Sequence, residues 1–164
     1  MPLYYPTDTH WTQVGAYVGI RPLLERMGIS LPSVAEVTLT KGEPTPGDLM
    51  GMMHLERDKS RANHWTVSGY SELETFCYEE REDGYATWYE TPDADPRRLM
   101  VIRDSFSNAL KPIFGSQFAE TYLVHQAIYS HQDVLDFAPD VVVLQIVERA
   151  FMPVLMNFQP MGGM

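Results

Sequence analysis

The last third of the chain alternates short, unbroken apolar runs with helix-like stretches, and this alternation constrains the fold more than any other feature. Leu99, Met100, Val101 and Ile102 form the first run, Tyr122, Leu123 and Val124 the second, and residues 141–147 the third. Each is short for a helix and lacks the polar alternation of a strand with one wet face, so each reads as a strand buried on both faces. Leu110, Ile113 and Phe114 sit at helical spacing after the first run, and another helical stretch leads into the third. Parallel strands joined by helices give an α/β class. Only these three strands are convincing, whereas a doubly wound domain commonly has about five. The expectation is therefore one domain, residues 1–164, lacking part of its N-terminal portion.

The first half is organised differently. Thr12 is placed to cap a helix that carries Tyr17, Ile20, Leu24 and Met27 on one face, with Gly28 as its stop. Pro22 should kink or divide that helix. Residues 30–48 are rich in proline and glycine and read as a surface crossing, with a short extended piece at Val37 and Leu39. A short apolar turn, residues 49–55, holds Met50, Met52 and Met53, expected as core filler. Residues 65–90 set Phe76, Tyr78, Tyr85, Trp88 and Tyr89 among acidic residues around Asp83-Gly84, which reads as a hairpin inserted over or beside the main sheet. The tail, residues 152–164, is expected to fray at its end.

Composition removes several functions. With 12 Lys+Arg against 22 Asp+Glu the formal charge is −10, so the chain lacks the basic surface that phosphate backbones require, and nucleic acid is not an expected partner. The single cysteine, Cys77, forms no internal disulfide and is expected as a half-buried strand residue. No stretch approaches the length of an apolar membrane span, and the first residues carry no export signal.

Parallel α/β sheets hold ligands at the carboxyl ends of their strands. Ser105, in Arg103-Asp104-Ser105-Phe106-Ser107, stands there, between a strand and a helix, with helix-start amides available for an oxyanion. The same position suits a plain N-cap, and the GxSxG elbow is absent. A serine nucleophile needs a base and an orienting carboxylate. Asp8 and His10, two residues apart, project to the same side of an extended segment and can supply both. The pair suits a helix-entry turn or part of a metal site equally, but no third ligand stands at a recognisable spacing, so no metal is assigned.

These residues carry a resemblance. Tyr4-Tyr5-Pro6-Thr7-Asp8-Thr9-His10-Trp11-Thr12, with Gly15-Ala16-Tyr17 behind it, resembles the DxHW segment of the alginate O-acetyltransferase family and its DHHW relatives. The stretch from Val101 through Arg103-Asp104-Ser105-Phe106-Ser107-Asn108 to Leu110 is similar to that family's nucleophile block. Gly47-Asp48-Leu49 fits the connecting region, and residues 140–149 the late strand ending in Glu-Arg. The order also fits, with Asp and His ahead of Ser. The resemblance implies a three-layer α/β/α, SGNH-hydrolase-like (flavodoxin-like) domain in which Ser105 is nucleophile, His10 general base and Asp8 its orienter. It implies O-acetyl transfer to an exported or cell-surface polysaccharide through an acetyl-serine, without a cofactor. The same triad also serves an acetylesterase, and a non-catalytic glycan-binding relative is the competing class. A periplasmic or envelope location and a membrane-bound acetyl-donor protein are likewise implied. Arg103 departs from the pattern, standing where many relatives have glycine.

Five further residues are candidates for substrate contact, each with a plainer reading. Trp11 stacks on a sugar or wedges the His10 loop against the core. Arg103 and Asn108 flank the nucleophile, where Asn108 either donates to an oxyanion or bonds the backbone. His125 ends a strand and faces the site or solvent. Arg149 contacts glycan or pairs with Glu148. Asp104 is read as a local acceptor of backbone amides or a partner of Arg103, His64-Trp65 as surface or hairpin base, and Tyr78, Tyr85, Trp88 and Tyr89 as packing or as a carbohydrate face.

Overall fold

The computed structural model describes residues 1–55, 61–79 and 84–157, and the chain forms two compact units, Met1–Glu72 and Leu73–Met164, where the sequence reading counts one domain. Asp83, one half of the expected Asp83-Gly84 turn, and residues 158–164 of the tail lie outside the described residues. Among the described residues no helix is long and apolar enough to cross a membrane.

In the first unit, helix α1 spans Gln13–Arg26. The Thr12 hydroxyl caps it by accepting the Gly15 amide at 3.1 Å, and it donates back to the Pro2 carbonyl at 3.0 Å. Gly15 is required there, because a Cβ would fall 2.0 Å from the Leu3 carbonyl oxygen. Tyr17, Ile20 and Leu24 are buried as the spacing predicts. Pro22 lies inside the helix without dividing it, and the helix ends at Met27 with Gly28 at φ +84° behind it.

The expected surface crossing is instead largely a strand. β1, Thr38–Pro46, pairs antiparallel with β2, Arg61–Ser68, with an irregularity between Lys41 and Pro44. Each strand of a two-stranded sheet is an edge strand, where proline is tolerated, so composition alone hides the strand. Between them, α2 spans Asp48–Met52. Met52 and Met53 are exposed, at 66% and 56%, and are not core filler.

In the second unit, β3 (Phe76–Glu79), β4 (Ala86–Glu90), β5 (Asp95–Arg103), β6 (Phe118–His125) and β7 (Val141–Gln145) form one sheet in the order β3-β4-β6-β5-β7. β6, β5 and β7 are mutually parallel, and β4 runs against β6. The class is α/β with a mostly parallel sheet. A 3-10 helix (Ser105–Ala109) and α3 (Lys111–Gly115) connect β5 to β6, α4 (His131–Phe137) precedes β7, and α5 (Glu148–Asn157) follows it.

The supposed insertion at residues 65–90 therefore falls in two places. Residues 65–68 belong to β2, whereas β3 and β4 pair as a hairpin that extends the main sheet at one edge. Cys77 lies on that edge strand and is exposed rather than half-buried. Leu99, Val101, Leu123 and Phe118 are fully buried in the central strands. β7, at the opposite edge, leaves Val142 48% exposed, so its apolar run is not covered on both faces.

Candidate active site

The segment before α1 brings Asp8 and His10 together. Tyr4 bridges Trp11, and the Tyr5 amide donates to the His10 carbonyl at 3.3 Å, so the residues between form a tight loop. His10 Nδ1 lies 2.7 Å from Asp8 Oδ1, which also accepts the His10 amide at 2.8 Å. Asp8 Oδ2 accepts the Asp48 amide at 3.1 Å. With the Nδ1 proton directed at a carboxylate, the basic lone pair of the neutral ring belongs to Nε2. Burial pushes the Asp8 carboxyl upward, but the hydrogen bonds from His10 and the Asp48 amide outweigh it and hold the group below its usual range.

Asp48 is the residue sequence reasoning missed. It accepts the Thr9 amide at 2.7 Å and the Thr9 hydroxyl at 2.6 Å, and its Oδ2 lies 3.8 Å from His10 Nδ1. Gly47 makes this approach possible, since a Cβ there would meet the Thr7 carbonyl oxygen at 1.8 Å. In the sequence its signal is the Gly47-Asp48 pair. Asp8, His10 and Asp48 offer three ligand atoms within 4.8 Å of one another; each carboxylate, however, is already committed to hydrogen bonds within the loop. Trp11 packs on α1, its Cζ3 3.5 Å from where a Gly19 Cβ would stand.

In the second unit Ser105 opens the 3-10 helix directly beyond β5, half-buried at the carboxyl edge of the sheet. Arg103, His125 and Gln145 are in register at that edge. Asp104 binds the local backbone as expected: Oδ1 accepts the Phe106 amide at 2.9 Å and Oδ2 the Val147 amide at 2.6 Å. Its carbonyl accepts the Ser107 amide at 3.3 Å. The expectation that helix-start amides hold an oxyanion therefore fails for Phe106 and Ser107, because Asp104 takes both. The Ser107 hydroxyl donates to Gln145 Oε1, at the end of β7.

Arg103 is not a surface contact. It is 2% exposed, and its guanidinium donates to the Asp104 carbonyl, Asn108 Oδ1 and the Gly84 carbonyl. Burial pulls this group below its ordinary value. Asn108 thus gives its side-chain oxygen to Arg103. His125 stacks on Tyr85 with ring centres 4.6 Å apart, and burial, aided by the Arg103 charge, lowers its proton affinity. Arg149 lies over the Phe106 ring, 5.6 Å from its centre, rather than against Glu148. Of the hairpin aromatics, Tyr89 is buried and Trp88 packs on Tyr122 and Phe137, whereas Tyr78 and Tyr85 are exposed. His64 accepts or donates at 2.7 Å to the Tyr5 hydroxyl.

No family model and no curated protein matches the chain. Solved structures do. A DHHW family protein from Eubacterium siraeum aligns with a TM-score of 0.75 at 16% identity, covering 96% of this chain and 64% of that one. Bacillus cereus PatB1 aligns at 0.66 and 16% identity, covering 91% and 63%. PatB1 with a sulfonyl adduct aligns at 0.67 and 16%, covering 91% and 61%. The chain thus spans less than two thirds of the length of each. The likeness establishes a shared α/β fold.

Proposed function

We propose that this chain carries the catalytic region of a serine-dependent O-acetyltransferase acting on polysaccharide hydroxyls, with Ser105 as nucleophile, His10 as general base and Asp8 as its orienter, in an SGNH-like domain. The observation that carries this reading is the Asp8–His10 pair: a 2.7 Å contact to Nδ1 from a carboxylate whose other oxygen is held by a backbone amide. That arrangement fixes a tautomer and supports an imidazolium, and neither task is needed in a plain helix-entry turn. The sulfonyl adduct in a structure of the same fold is the product expected when a nucleophilic side chain meets a sulfonyl electrophile.

In the proposed reaction Ser105 Oγ attacks the acetyl carbonyl and its proton passes to His10 Nε2. Collapse of the tetrahedral species breaks the bond to the donor's leaving group, which takes that proton, and leaves acetyl-Ser105. A sugar hydroxyl then gives its proton to His10 and attacks the ester, and collapse breaks the acetyl–Ser105 bond as His10 returns that proton to Ser105 Oγ. The donor is a membrane-presented acetyl carrier and the compartment the cell envelope.

The test is incubation with p-nitrophenyl acetate, followed by intact mass, for the parent and for Ser105→Ala and His10→Ala. Acetyl on Ser105 of the parent alone, captured by an added oligosaccharide, is the expected result. Rapid release to water without capture would assign an esterase. A folded parent that neither turns over the ester nor gains label would overturn the enzymatic reading in favour of glycan binding alone.

A further inference from the structure

We infer that Arg103 and Asn108 are positioning residues for the Ser105 reaction, holding the nucleophile's turn from both ends and fixing it to the Gly84 carbonyl, and that neither touches substrate. This rests on the serine mechanism above. A five-residue 3-10 helix has poor internal hydrogen-bond geometry and depends on outside contacts for its shape. Arg103 supplies them. Its Nη1 donates to the Asp104 carbonyl at 3.3 Å and to Asn108 Oδ1 at 3.0 Å, residues that lie on either side of Ser105. Its Nη2 donates to the Gly84 carbonyl at 2.6 Å, at the entry to β4.

The same carbonyl accepts Lys111 Nζ at 3.0 Å, and Lys111 also donates to Thr87 Oγ1 at 3.0 Å. Two cations from the chain flanking the turn therefore converge on one oxygen of the hairpin. The planar fork reaches these acceptors from two separate nitrogens, Nη1 towards the turn and Nη2 towards Gly84, a spread that the single ammonium of a lysine at position 103 would not reproduce. Burying this charge is costly, and Nε finds no acceptor among the described residues. A side chain so placed, with its guanidinium spent on backbone and Asn108, cannot also bind a substrate.

Asn108 separates this role from direct catalysis. It contributes its carbonyl oxygen to Arg103, so Asn108→Asp keeps the acceptor and loses the amide donor, whereas Asn108→Ala loses both. Asn108 is exposed, so neither change opens a core cavity. With p-nitrophenyl acetate, Asn108→Ala should slow Ser105 acetylation about tenfold to a hundredfold through kcat, with KM unchanged, because misplacement by a fraction of an ångström is enough. Asn108→Asp should recover most of that loss, and Arg103→Lys should not. Amide exchange at Ser107 and Leu110, whose hydrogen bonds close the turn, should quicken in Asn108→Ala and return in Asn108→Asp.

The inference is overturned if Asn108→Asp is as slow as Asn108→Ala, which would make the amide a substrate or oxyanion donor, or if Asn108→Ala matches the parent in both rate and exchange. A parent that never acquires acetyl sinks the serine mechanism and the catalytic part of this inference with it. The exchange measurements then decide whether the turn is clamped.

Discussion

Asp8 accepts the His10 amide and ring on one oxygen and the Asp48 amide on the other. A carboxamide cannot reproduce this, because whichever way it turns, an NH2 meets an N–H. Asp8→Asn should therefore leave the chain folded and slow Ser105 acetylation by about 10²–10⁴, the scale of removing the orienting acid elsewhere; acetylation followed by mass, with circular dichroism for the fold, checks it. Asp8 and His10 were legible because residues two apart meet in a tight turn as they do along an extended segment, the Asp8 carboxylate here accepting the His10 amide as well as its ring. Asp48 was not, because its approach depends on a glycine that admits the Thr7 carbonyl, a packing fact with no local pattern. The role of Arg103 was hidden for a related reason: a charged residue beside a nucleophile reads as a substrate contact until its burial is known.

Elements were legible where local signals and burial agree. Thr12, Gly28 and the apolar face of α1 announce that helix, and the central strands β5 and β6 announce themselves by uninterrupted apolar runs. β1 was lost among prolines, and β3 and β4 were seen as a hairpin but not as part of the sheet, because antiparallel pairing of β4 with β6 is a long-range choice. The α1 cap is a place where one hydroxyl serves two tasks, accepting the Gly15 amide and donating to Pro2. Thr12→Ala should lower stability by about 1–2 kcal/mol, the upper range for a helix cap because the second tie goes with it. A urea titration followed by far-ultraviolet dichroism reads the shift in midpoint, with the slope expected to stay unchanged.

Across the whole molecule, acid should weaken the fold at more than one site. Burial and the Arg103 charge depress His125 below its ordinary 6.5, with Asp104 opposing and Tyr85 stacked on the ring. The unfolded chain then takes up this proton first, so stability is full above 6.5 and declines as pH falls through the lower folded value. His125→Gln should flatten that decline, read from urea midpoints on either side of 6.5. Asp8, also depressed, adds stability present above its ordinary carboxylate range and lost only in stronger acid.

The charge of −10 bears on the acceptor in the same way, through the whole field. A local basic patch of Arg97, Arg98, Arg103 and Arg149 could have welcomed an anionic polymer. Instead Arg97 pairs with Asp95 at 2.7 Å, Arg98 pairs with Glu120 at 3.0 Å, and Arg103 is buried. Arg149 lies against Phe106 and, among the described residues, is left as the cation of that set without a carboxylate partner. The acceptor expected for the proposed transferase is therefore a neutral glycan. Acetyl capture by a neutral oligosaccharide should be insensitive to salt, whereas capture by an oligouronate should be poor in dilute buffer and improve as salt screens the repulsion, over a Debye length of about 10 Å at 0.1 M. Efficient capture by the oligouronate in dilute buffer, weakening with salt, would show that the local field around the acceptor is positive despite the net charge.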